Sequence, residues 1–215
     1  LIGGRRLLAA LASVLLAVSL AAAARAETIY LQPLGPEIPE ADVALVKTAL
    51  ESFYAASVET LPRLPMPKEA YYPPRQRYRA ERLLDFLHTL KPGERILGLT
   101  ALDISTTKDS FVDWGLLGLG DLDGLAAVIS TFRCKKTAHS PQQVRERLAK
   151  TAVHEIGHTL GLEHCPTPHC LMQDARGKVS TTDGEYDLCP ACRARLKAAG
   201  HDIPAAPKIP WARSW

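Results

Sequence analysis

Beyond its first 26 residues, this 215-residue chain has no surplus of either charge. Three of its 26 Lys and Arg residues (Arg5, Arg6 and Arg25) precede Glu27, the first acidic residue. The remaining 23 match the 23 Asp and Glu, so the formal charge of +3 belongs to the N-terminal stretch. A neutral body lacks the basic footprint that binds phosphates, which argues against a nucleic-acid partner. The sequence also lacks a Ser-His-Asp pattern, so nothing calls for a covalent acyl-enzyme. Cysteines number only five, and four of them fall between positions 165 and 192. The longest apolar run is Leu7 to Leu20, interrupted by two serines. Apolar residues still make up 47%, enough for one globular domain with a core.

The first 26 residues read as an export signal. Arg5 and Arg6 form a basic start, Leu7 to Leu20 the apolar run, and Ala24-Arg25-Ala26 a small-x-small cleavage site. Cleavage after Ala26 and residence in the periplasm or outside the cell are expected, with no stable membrane association afterwards. The run is also about long enough to remain as an uncleaved anchor, and a misread leader would leave the protein cytoplasmic.

The most informative stretch reads His154-Glu155-Ile156-Gly157-His158-Thr159-Leu160-Gly161-Leu162-Glu163-His164-Cys165. Two histidines four apart on a helix point the same way, so His154 and His158 can hold one zinc ion, with Glu155 beside them as a base. Gly161 lets the chain leave the helix, and His164 follows where it can return as a third ligand. Three protein ligands leave a fourth position for water, the arrangement of a catalytic rather than a structural zinc. The extended pattern H-E-x-x-H-x-x-G-x-x-H is that of metzincins. Upstream, Ser140-Pro141-Gln142-Gln143 is a capping box with proline in the first turn. Val144, Leu148, Ala152, Ile156 and Leu160 then form an apolar stripe that should pack the helix against the sheet. Gly157 suits a close contact.

Cys165 and Cys170 are separated by a loop from Cys189 and Cys192, a spacing suited to zinc held by four thiolates. In an exported protein, disulfides within each pair or a redox C-x-x-C are the alternatives. Taken together, H-E-x-x-H-x-x-G-x-x-H-C, then C-x-M, then C-x-x-C resembles the archaemetzincin family of zinc metallopeptidases. The resemblance implies two zinc ions. His154, His158 and His164 match the ligands of the catalytic ion, Glu155 the general base, and Met172 the methionine of the turn below the metal. Cys165, Cys170, Cys189 and Cys192 match the second, structural site. These motifs cover about the last third of the mature chain. Cys134 matches none of them and is expected to be a buried free thiol.

The rest of the chain alternates strands and helices. Strands are expected at Thr28 to Leu34, at Val58 to Leu64 (an edge, given Pro62), at Arg95 to Ser105 and at Leu125 to Cys134. Helices are expected at Pro39 to Tyr54, Arg75 to Leu90 and Cys189 to Ala199. Phe111 to Leu119 resembles the rim strand on which metzincins lay their substrates. The proline-rich stretch from Pro62 to Pro74 reads as a loop, and Asp103 as a hydrogen-bonded strand-end carboxylate.

The expected architecture is a mixed α/β or α+β, metzincin-like single domain: a mixed, mainly parallel twisted sheet, an active-site helix and a small C-terminal subdomain stapled by the four-cysteine zinc. Residues 27–161 would form the N-terminal subdomain and 162–215 the C-terminal one. A zinc-dependent peptidase acting on peptides or proteins is the leading function. A zinc-stabilised peptide- or protein-binding module without turnover is the rival. The sequence does not fix the oligomeric state.

Overall fold

The computed structural model describes residues 27–201, 203–205, 207–209 and 211. The leader expected over 1–26 lies outside them. In chain order the strands are β1 (Thr28–Leu34), β2 (Ser57–Thr60), β3 (Tyr71–Tyr72), β4 (Arg77–Arg79), β5 (Arg95–Thr100), β6 (Ile104–Lys108), β7 (Phe111–Leu116), β8 (Gly118–Gly120) and β9 (Ala126–Ser130). The helices are α1 (Glu40–Tyr54), α2 (Ala80–Leu90), the single turn α3 (Thr131–Cys134), α4 (Pro141–Thr159), the single turn α5 (Thr181–Gly184) and α6 (Pro190–Ala198).

The main sheet has five strands in the order β2-β1-β5-β9-β8. Three of its four pairings are parallel, and β8 runs antiparallel to β9. This is the mixed, mainly parallel sheet expected from alternating strands and helices. Every residue of β5 and of β9 is buried, so their unbroken apolar runs fit a sheet covered on both faces. On one face, α1 and α4 enclose a core of Ile29, Leu31, Phe53, Leu97, Ile129, Leu148 and Ile156. On the other, Leu83, Leu84 and Leu87 of α2 pack with Leu34, Ile96 and Val128.

A second sheet, not anticipated from sequence, has the order β3-β4-β6-β7. It accounts for three corrections. The helix expected from Arg75 begins only at Ala80, because Arg77–Arg79 form a strand paired with both β3 and β6. The expected long strand from Arg95 to Ser105 breaks after Thr100, and the chain crosses to the second sheet at Ile104. Asp103, at that crossing, receives Arg77 at 2.8 Å and Arg133 at 2.7 Å, so it is a structural carboxylate. The segment Phe111 to Leu119 resolves into β7 and β8, which belong to different sheets.

Two other strands are shorter than expected. β9 ends at Ser130, whose hydroxyl accepts the Phe132 N–H and starts α3. β2 is an edge as expected but ends at Thr60, and Leu64 only bridges to Leu34. At the far end of the chain, Ile209 and Trp211 are buried, with the Trp211 ring stacked on Phe53 at 6.2 Å. The tail therefore straps the core at least that far.

Candidate metal centre and cleft

Helix α4 carries the central motif and is fixed along its length. The Ser140 hydroxyl accepts the Gln143 N–H at 3.1 Å, Gln143 Oε1 accepts the His139 N–H at 2.7 Å, and Pro141 fills the first turn. Leu148, Ala152 and Ile156 of the stripe are fully buried. The Tyr54 hydroxyl donates to the Val153 carbonyl at 2.6 Å, which ties α1 to the middle of α4. Arg147, 1% exposed, donates to both oxygens of Asp183 at 2.7 Å and to the carbonyls of Cys134 and Lys136.

The helix ends as the sequence suggests. Gly161 adopts φ +83°, and the N–H groups of Gly161 and Leu162 return to the carbonyls of His158 and Gly157, both at 2.9 Å. This reversal carries His164 back toward α4. The ligand nitrogens of His154, His158 and His164 all lie within 4.8 Å of one another, and the ring centroids are 4.7 to 5.3 Å apart.

His154 Nδ1 meets the Leu171 carbonyl at 2.6 Å, and His158 Nδ1 meets the Leu162 carbonyl at 2.7 Å. A carbonyl only accepts, so each Nδ1 carries a proton and each Nε2 a lone pair when the ring is neutral. Burial, then the neighbouring His158, pushes His154 down to about 3, and burial likewise lowers His158. Both rings are therefore neutral near pH 7, and their Nε2 atoms, 3.0 Å apart, face each other as two acceptors. Two lone pairs so placed repel unless a cation lies between them, so the donor set fits a metal ion. The histidine tautomers are thus fixed by backbone carbonyls and not by aspartates. Asp183 instead pairs with Arg147, Asp187 with Arg193, and Asp174 accepts the Arg176 N–H.

Glu155 sits beside the histidines, 6% exposed, beneath β8. Burial raises its carboxyl to about 8, offset in part by the Gly120 N–H. A nearby cation would draw it back toward ionisation. Two glycines that sequence reasoning missed make its seat. A Cβ on Gly118 would lie 2.6 Å from Glu155 Cγ and Oε1, and one on Gly120 would lie 2.4 Å from the Glu155 carbonyl oxygen. The available signal was the Gly-Leu-Gly alternation, which leaves one strand face bare. On α4 itself, Gly157 admits Met172, since a Cβ there would meet the sulfur at 2.5 Å.

A cleft of about 530 Å³ opens over these groups. Its lining includes Trp114 to Gly120 and Gln173 to Val179. The expected rim segment therefore does border the cleft. The Tyr186 ring stacks on His169 at 5.4 Å. His169 Nδ1 is engaged by the Gly184 carbonyl at 2.7 Å, and His169 belongs to neither ligand cluster among the described residues.

The four cysteines also converge, with all Sγ atoms within 4.8 Å. None forms a disulfide. Sγ–Sγ approaches of 3.7 Å run between the two pairs, Cys165 to Cys189 and Cys170 to Cys192. Tetrahedral zinc with bonds of about 2.3 Å implies sulfurs roughly 3.8 Å apart, whereas a disulfide needs about 2.05 Å. The Cys192 thiol, together with the Cys189 N–H at 3.3 Å, holds Cys170 below the ordinary thiol range. The set therefore fits a cation bound by thiolates. Cys134 stands apart, fully buried, with burial pushing its thiol up to about 12.

One short segment touches both clusters. Cys170 belongs to the thiol set, the Leu171 carbonyl orients His154, and Met172 packs on Gly157 and accepts the Cys165 N–H at 2.7 Å.

The family model of peptidase family M54 matches residues 41–198. Over 171 residues the chain is 32% identical to the archaemetzincin of Haloquadratum walsbyi, covering 76% of this chain and 96% of that protein. The crystal structure of archaemetzincin from Archaeoglobus fulgidus, complexed with malonate, is similar with a TM-score of 0.67 and 32% identity, over 78% of this chain and 99% of that one. That of the Methanopyrus kandleri archaemetzincin gives a TM-score of 0.72 and 28% identity, over 84% and 98%.

Proposed function

The chain belongs to peptidase family M54, the archaemetzincins, which makes it a zinc metallopeptidase, and on that premise we propose how its residues divide the work. His154, His158 and His164 hold the catalytic zinc, and Cys165, Cys170, Cys189 and Cys192 hold a second, structural one. Zinc in the histidine site supplies a Lewis acid that polarises a carbonyl and acidifies water. Glu155 accepts the proton of the attacking water and returns it to the leaving amine. Burial suits Glu155 to this exchange, because it brings the carboxyl toward neutrality, where it can both take and give a proton. The peptide lies along the Trp114–Gly120 wall, where main-chain pairing on an open strand edge would hold it.

The convergence of two tautomer-fixed histidines with a third, beside a buried carboxylate in an open cleft, is the observation that carries this reading. Residues 27–161 bring the sheet and α4, and 162–215 the methionine turn and cysteine cluster. Export by the 1–26 leader remains part of the proposal and rests on the sequence alone.

The test is a defined peptide mixture digested with zinc-loaded protein, read by mass spectrometry, with and without chelator. We expect chelator-sensitive cleavage, and we expect Glu155→Gln to retain zinc while losing turnover. Undiminished cleavage by that variant would overturn the role of Glu155. Zinc-loaded wild type that binds but never cuts would favour the binding-module reading.

A further inference from the structure

Resting on the peptidase reading, we propose that Glu185 is a specificity residue: from the lining of the cleft it takes the cationic side chain of a lysine or arginine one or two residues from the scissile bond. Glu185 lines the cleft yet is only 4% exposed. Its carboxylate has no hydrogen-bond or ion-pair partner among the described residues. A buried carboxylate without donors is costly, and a ligand that brings both donors and positive charge relieves that cost.

The neighbouring cations do not fill this role. Arg133 is committed to both oxygens of Asp103, at 2.7 and 3.0 Å. Arg147 is likewise committed to Asp183. Lys150 acts on Glu185 electrostatically, but its ammonium donates to the carbonyls of Thr182 and Asp183, at 3.0 and 3.5 Å. Asp183 adds negative potential at Glu185.

Position along the cleft follows from helix geometry. Thr151 lines the cleft three residues before His154 and four before Glu155, so it lies on their face of α4, about 5–6 Å away. Lys150 ties this turn to α5, which places Thr182 and Glu185 opposite it. A peptide advances roughly 3.5 Å per residue, so Glu185 serves a side chain one or two residues from the bond cut.

The test has two stages, both on zinc-loaded full-length protein. An equimolar peptide library should show Lys and Arg enriched at one position, one or two residues from the cut. Matched peptides with Lys, Gln or Leu at that position should then show kcat/KM favouring Lys, and Glu185→Gln should shrink the Lys-to-Leu ratio on the order of 10²-fold. A purely structural role would lower both rates alike and leave the ratio intact. An unchanged ratio, or a wild-type preference for Gln, apolar or acidic residues, would overturn the proposal while sparing the peptidase reading. Absence of any cleavage by wild type would overturn the peptidase reading itself. If Glu185→Gln does not fold, wild type still decides: an alkylguanidinium should competitively inhibit cleavage of the Lys peptide and the matching alcohol should not. Equal effects of the two would count against Glu185.

Discussion

The glycine contact that bears most directly on turnover is between Gly118 of β8 and the side chain of Glu155. Gly118→Ala would place a methyl 2.6 Å from Glu155 Cγ and Oε1 and 2.9 Å from Cδ. Ordinary carbon contacts begin near 3.5 Å, so the carboxylate must retreat by about 1 Å, toward the cleft. Misplacement of a reacting group by about 1 Å can cost on the order of 10² in rate, equivalent to about 2.7 kcal/mol of barrier. Stability should fall less, by about 1 kcal/mol, because the side chain can swing into open space. Gly120→Ala makes the opposing case. Its methyl would meet the Glu155 backbone carbonyl at 2.4 Å, and helix backbone has nowhere to go. Unfolding should then become easier by about 3 kcal/mol. The assay is kcat/KM on one cleaved peptide, with zinc content and denaturant unfolding measured on the same preparations. Gly118→Ala with full zinc and a rate within threefold of wild type would refute the reasoning.

Three further outcomes follow from the same geometry. Gly157→Ala drives a methyl to 2.5 Å from the Met172 sulfur, and since methionine yields readily, thermal unfolding should report a loss of only about 1–2 kcal/mol, with weaker zinc retention. Thiol titration of metal-loaded protein should find no reactive cysteine. Chelator should release four thiols, and only denaturant the fifth, Cys134, which is buried and held up to about 12. Asp183 is held below its ordinary value by hydrogen bonds from Arg147, so its stabilisation is present above the unfolded pKa near 4 and fades as pH falls through the lower folded value. Asp183→Asn should lower stability at pH 7 by ~2 kcal/mol, since the buried guanidinium loses its counter-charge, and flatten the loss below pH 4 seen in urea unfolding.

The sequence was most legible where spacing alone dictates geometry. The capping box and the glycine stop marked the ends of α4, the spacing of four put His154 and His158 side by side, and the two cysteine pairs pointed to the thiol cluster. The β1, α1 and α6 boundaries followed from apolar period and from proline. What escaped was nonlocal. Arg77–Arg79 looked like the start of a helix, and pairing with β3 on one side and with Ile104 and Ser105 on the other makes them a strand. From Arg95 to Ser105 the run carries only Thr100 and Asp103 where the chain changes sheets, and a lone carboxylate there read as the polar end of one strand, so the break went unmarked. Gly118 and Gly120 drew no attention, because the glutamate they accommodate lies 37 and 35 residues further on. Glu185 drew no attention because a lone glutamate near a loop is ordinarily solvated, and its burial depends on how α4 and α5 meet.

Residues 170–172 give each cluster a stake in the other. A single three-residue strip anchors one ligand set, aims a ring of the second and wedges beneath the helix that bears it. His164 and Cys165, adjacent in the chain, face different clusters. If each set holds a metal as proposed, filling the sulfur nest would stiffen the imidazole basket, emptying either would slacken its neighbour, and half-loaded copies would be scarce.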